Sequence, residues 1–173
     1  MTPAATLRMA PASLAHIEAE LAGGAGLHDL LGAKVPPDWP PGEFDTDAFH
    51  YFQGLLQQED AARYDGWLVW YGLLTDAATG EAWVAGAAGY FGPPEGGVVE
   101  IGYSVSPALQ GRGCAQRMVR FLVDRAFTFP EVARVQAHTY PDNRASINVL
   151  LKSGFTQTGQ DAESGKLAYA IMR

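Results

Sequence analysis

VVEIGYSVSPALQGRGCAQRMVRFLVDRAF, residues 98–127, changes its period half-way along. Residues 98–105 read as a strand, Ser106-Pro107 ends it, and Gln110 to Ala115 form a glycine-bearing turn. From Ala115 onward, Met118, Val119, Leu122, Val123 and Ala126 recur at helical spacing, with their apolar face toward a sheet. Strand, glycine turn, helix is an order suited to holding phosphate. The first amides of a helix lack intrahelical acceptors, and the aligned peptide dipoles make that end partially positive. Gly111 and Gly113 carry no Cβ and tolerate positive φ, so the backbone can approach a ligand there. A plain strand-to-helix turn fits the same six residues equally well. A triphosphate loop is disfavoured because no Lys follows Gly113, and a dinucleotide fingerprint because Gln116 stands where a small residue is needed.

Working outward, residues 4–9 read as a strand and 11–22 as a helix closed by Gly23-Gly24. Residues 26–45 form a proline-rich connector, in which VPPDWPPG denies helix and pre-sets extended backbone. A helix is expected over 46–63, capped by Asp45 or Thr46, with Phe49, Phe52, Leu55 and Leu56 on its core stripe. Strands over 67–74 and 81–91 make a hairpin, and 98–105 adds a third antiparallel neighbour. Residues 132–140 form the next strand, parallel to 98–105 if the helix between them is a right-handed crossover. A short helix over 143–152 ends at Gly154, and strands over 155–159 and 166–172 close the chain as a hairpin. The expected fold is one α+β domain over 1–173, a mixed, mostly antiparallel sheet of six to seven strands flanked by about four helices.

The 173 residues suffice for a core without staples, and 47% hydrophobic with 18% charged residues is ordinary globular composition. No apolar run is long enough to span a bilayer and no leader pattern is present, so no membrane partner is expected. The one cysteine, Cys114, fits a reducing compartment, so the expected location is cytoplasmic. His16, His28, His50 and His138 lie far apart without ligand spacing, so no metal is expected. A net charge of -7 and a pI near 4.9 argue against nucleic acid and are compatible with a cationic amine substrate.

Two motifs in order raise the specificity. Gln110-x-x-Gly113-x-Ala115 resembles the [QR]-x-x-G-x-[GA] coenzyme A signature of the GNAT superfamily of N-acetyltransferases. Asn143-Arg-Ala-Ser146, a helix, then Gly154-Phe155 resembles that superfamily's later element. The run EIGY, QGRG and PDNRASINVLLKSGF is most similar to the branch containing the ribosomal-protein N-terminal acetyltransferases, and the resemblance covers residues 81–173. It implies acetyl-CoA as co-substrate, with pantetheine bonded to the strand end at Val105 and diphosphate to the amides of Gln110, Gly111, Arg112, Gly113, Cys114 and Ala115. Asn143 would contact the cofactor or cap its helix, Arg112 would add charge or stay exposed, and Cys114 fits a small filler better than an acyl carrier. The connector with Trp39 would wall the acceptor site or simply pack on the body.

Acetyl transfer to an amine needs a base. Glu100, alternating against Val99 and Ile101, shares a face with Gly102 and Ser104, and burial would raise its pKa toward a useful range. His138 is the reserve, and a solvent-facing or structurally paired Glu100 is the plain alternative. Many family members protonate the leaving thiolate with a tyrosine seven residues after the motif Asn. Leu150 stands there in this chain, which leaves Ser146 or Tyr140 as substitutes. The reading is an N-acetyltransferase acting by direct attack on a primary amine, either a peptide N-terminus or a small amine. A non-catalytic acyl-CoA-binding module and a nucleotide-phosphate protein are the alternatives, and a homodimer is left open.

Overall fold

The structure, a computed structural model, describes residues 4–42 and 44–173. Its centre is a seven-stranded sheet in the order β1-β2-β3-β4-β5-β7-β6. The strands are β1 (Thr6–Pro11), β2 (Val69–Thr75), β3 (Ala82–Tyr90), β4 (Val98–Val105), β5 (Arg134–Thr139), β6 (Thr156–Gln160) and β7 (Leu167–Met172). All neighbours pair antiparallel except β4 and β5. The helices are α1 (Leu14–Leu21), α2 (Leu27–Leu31), α3 (Thr46–Leu56), α4 (Cys114–Phe127) and α5 (Arg144–Lys152). The crossover from β4 through α4 therefore returns a parallel strand, as a right-twisted βαβ unit must.

Each face of the sheet has its own core. On one side α4 buries Met118, Val119, Leu122 and Ala126 against Val99, Ile101, Val135 and Ala137. On the other, α1 to α3 bury Ile17, Leu27, Leu31, Phe49 and Phe52 against Val69, Tyr71, Leu73, Val84 and Ala87. Because side chains alternate along a strand, β4 presents Val99 and Ile101 to the first core and Glu100, Gly102 and Ser104 to the second side.

Two element bounds are corrected. α2 forms inside the stretch expected as connector, because Leu27 and Leu31, one turn apart, are both buried in the second core, and it makes five α-helices among the described residues, in keeping with the expected fold. The helix expected over 46–63 stops at Leu56, where its apolar period ends, and the chain resumes as a 3-10 turn over Ala61–Tyr64 with Arg63 bonded to Asp60. Asp45 is the N-cap, its carboxylate accepting from the Ala48 amide at 2.9 Å. Trp39 packs in the second core with its indole N–H donated to Glu20 at 3.0 Å, so it anchors the connector to α1. Asp38, on the same connector, accepts from the buried Ser106 hydroxyl just past β4.

Candidate active site

β4 and β5 pair at Val98 with Arg134, Val99 with Val135 and Glu100 with Gln136, and then separate. Each stays anchored on its outer neighbour, β4 on β3 as far as Val105 and β5 on β7 as far as Thr139. The sheet therefore opens at its centre, beyond Glu100, without losing its outer ladders.

On the α4 side of this gap lies a cleft of about 510 Å3. The end of β4 forms one wall through Tyr103 and Val105, and α5 forms the other through Asn143, Ser146 and Val149. Its far end is the turn Gln110, Gly111 and Gly113 with Cys114 and Ala115. Gly111 and Gly113 have φ of 76° and 73°, and a Cβ on either would meet nothing within 4 Å, so open space faces them. Gly113 is the N-cap of α4 and no side chain caps that helix, which leaves its first amides for a ligand. These residues fit the diphosphate and pantetheine of a coenzyme A thioester.

Several residues chosen from the sequence fall in this cleft. Gln110 donates its side-chain amide to the Val105 carbonyl at 3.2 Å, tying the turn back to the strand end. Asn143 caps α5 by accepting from the Ser146 amide at 3.1 Å while lining the cleft. Cys114 is 2% exposed and packs with Leu74, Ala85 and Leu109, and burial pushes its thiol pKa up. Of the residues chosen for the coenzyme and the leaving thiolate, Arg112 and Tyr140 do not line it. Arg112 is exposed and lies along a separate hollow with Asp76, Thr79 and Glu81. Tyr140, beyond the end of β5, is 48% exposed with the Lys166 ammonium 4.9 Å from its ring centre. Leu150 is fully buried in the core beneath α5.

Sequence reading passed over Tyr103 and Lys152, which both line the cleft. The Tyr103 hydroxyl lies 2.8 Å from the Ser146 hydroxyl and 3.1 Å from the Ser146 carbonyl. Burial pushes its pKa up to about 12. The alternation of β4 marks Tyr103 as the residue aimed opposite to Glu100, a signal present in the sequence.

The opposite face of the gap holds the carboxylate. Glu100 Oε1 and His138 Nδ1 are 2.7 Å apart, so the two base candidates form one pair. Gln136, one turn of the pleat away, reaches the other carboxylate oxygen at 3.5 Å. Both members of the pair are partly exposed, at 32% and 27% of their side chains, and so accessible from solvent. Glu100 and Gln136 also floor a hollow of about 350 Å3 walled by Tyr51, Phe91 and Glu95. Among the described residues, no group of three metal-type side chains is assembled and no helix is long and apolar enough to cross a membrane.

An open central gap, an uncapped glycine turn and a carboxylate on the far face define an acyl-CoA transferase fold. Residues 16–156 match the family described as Acetyltransferase (GNAT) domain. The chain belongs to the GNAT family and is an acetyl-CoA-dependent N-acetyltransferase. A relative in Bacillus subtilis (strain 168), the uncharacterized N-acetyltransferase YjdG, is 26% identical over 135 residues, covering 77% of this chain and 76% of that protein. In fold the chain is similar to the ribosomal-protein-S5-alanine acetyltransferase from Vibrio fischeri, with a TM-score of 0.64 at 20% identity over 96% of this chain and 92% of the other. It is also similar to the aminoglycoside acetyltransferase AAC(6')-Ib in complex with coenzyme A, with a TM-score of 0.60 at 21% identity over 97% and 95% of the two chains.

Proposed function

We propose that this enzyme transfers the acetyl group directly to a primary amine in a ternary complex, with the Glu100 and His138 pair receiving the amine's proton. The observation that carries this reading is the 2.7 Å pair on the face of the gap opposite the cleft. With its Nδ1–H donated to Glu100, His138 keeps a lone pair on Nε2 for the acceptor, directly or through one water. Glu100 then fixes the ring and stabilises the imidazolium that forms. Gln110, Gly111, Gly113, Cys114 and Ala115 hold the diphosphate through main-chain N–H groups, Asn143 and the Val105 strand end hold the rest of the coenzyme, and Ser146 faces the leaving sulfur. The acetyl thioester supplies the activated carbonyl. The hollow walled by Tyr51, Phe91 and Glu95 receives the amine, a peptide N-terminus or a small amine, since structures of the same fold act on a ribosomal protein and on an aminoglycoside.

Thiol release and mass-shifted product across a panel of peptides, aminoglycosides and polyamines test this. Glu100→Gln and His138→Asn should each lower kcat by about 10²–10⁴-fold, with acetyl-CoA affinity unchanged by calorimetry. Tight acetyl-CoA binding with no transfer to any amine would favour the non-catalytic module instead.

A further inference from the structure

The base side of this reaction has a built pair, whereas α5 puts Leu150 into the core and leaves the cleft side without the tyrosine expected there. Tyr103 reaches the cleft from β4 and meets Ser146 there. Its ring is packed beside the α4 core, and its hydroxyl meets both the Oγ and the carbonyl oxygen of Ser146. One hydroxyl hydrogen on Tyr103 cannot serve both contacts at once. When Tyr103 donates to the Ser146 carbonyl, the Ser146 hydrogen is spent on Tyr103 Oη. When Tyr103 donates to Ser146 Oγ instead, the Ser146 hydrogen is released into the cleft.

We infer that Tyr103 is a positioning residue for thioester cleavage, a two-position hydroxyl that aims the Ser146 O–H at the sulfur as negative charge develops on it. The inference rests on the cleft being the thioester site. In the step it serves, the acceptor nitrogen bonds to the acetyl carbon and the carbon–sulfur bond breaks, with its electron pair passing to sulfur. The nitrogen's proton goes to the Glu100 and His138 pair, and sulfur departs as thiolate, to be protonated from water after release. Tyr103 keeps its own proton throughout, in keeping with a phenol whose pKa burial has raised. Tyr103 and Ser146 together supply a hydrogen bond to the departing charge, and no net proton is required of them.

The test separates aim from packing. Besides Tyr103, the titratable side chains lining the cleft are Cys114 and Lys152. Tyr103→Phe keeps the ring and removes the hydroxyl, and Ser146→Ala removes the second hydroxyl. Each should lower kcat about tenfold or more with KM for acetyl-CoA unchanged, and the double variant should be no worse than Ser146→Ala alone. Product binding gives a second readout. CoA should bind the wild type increasingly better than desulfo-CoA as the thiol ionises above pH about 8, and Tyr103→Phe should lose that gain while binding desulfo-CoA normally. If desulfo-CoA affinity falls in parallel, Tyr103 is merely a wall of the cleft and the inference is overturned. Failure of the wild type to bind either compound would instead remove the cleft assignment on which it stands.

Discussion

Glu20 is 9% exposed beneath α1, where it accepts from the Trp39 indole N–H at 3.0 Å and the Tyr71 hydroxyl at 3.0 Å. Burial raises its pKa above the ordinary 4.5 and outweighs the two hydrogen bonds, which act to lower it. A folded-state value above the unfolded one gives stability that is fully present below the unfolded pKa and lost as pH rises through the folded value. Glu20→Gln keeps an acceptor and removes the ionisation, so urea unfolding should show equal or greater stability at pH 7 and a flatter profile above pH about 4.5. Glu20→Leu strands both donors and should cost about 1–3 kcal/mol. Nothing in the sequence marked this cluster, since its members stand 19 and 51 residues apart and Glu20 reads as one more polar residue on a short helix. Glu100 was legible because a carboxylate breaks an apolar strand. Its partner, His138, is 38 residues away and could be seen only as a separate candidate.

At the level of elements, the turn before α4 was readable in detail because its glycines have a conformational reason to be there. Gly113 sits at φ 73°, so Gly113→Ala should destabilise by about 1–2 kcal/mol. Nothing lies within 4 Å of the new Cβ, so the fold itself has room for it. Calorimetry should show weakened acetyl-CoA binding, because the methyl group enters the space where the diphosphate would lie. Strand β4 was read to the residue, as its flanks are a glycine pair and a Ser-Pro stop. α2 was not legible: five residues between glycines and prolines have no helical signal of their own, and only burial of Leu27 and Leu31 by distant partners makes the turn worthwhile. The early end of α3 has the same origin, since propensity alone would have carried it through Gln57 and Gln58.

For the molecule as a whole, the two substrates are assigned to opposite faces of one sheet, and its charge acts on them in opposite senses. A body of net charge -7 draws in a cationic amine and repels an anionic thioester. Raising ionic strength from about 0.01 M to about 0.15 M shrinks the Debye length from about 30 Å to about 8 Å. Steady-state assays should therefore show kcat/KM falling several-fold for a polycationic amine and rising for acetyl-CoA. An acceptor dependence with the opposite sign would count against a cationic substrate.

Where β4 and β5 part, the amides and carbonyls on their inner edges look across a space instead of at each other. Deuterium uptake should be fast at those amides in the free enzyme and slow once acetyl-CoA lies between the strands. The strands that would stiffen are the ones carrying Glu100 and His138. Filling the seam would thus ready the seat of the second guest, so the expected kinetic order is thioester first, amine second, which product-inhibition patterns check.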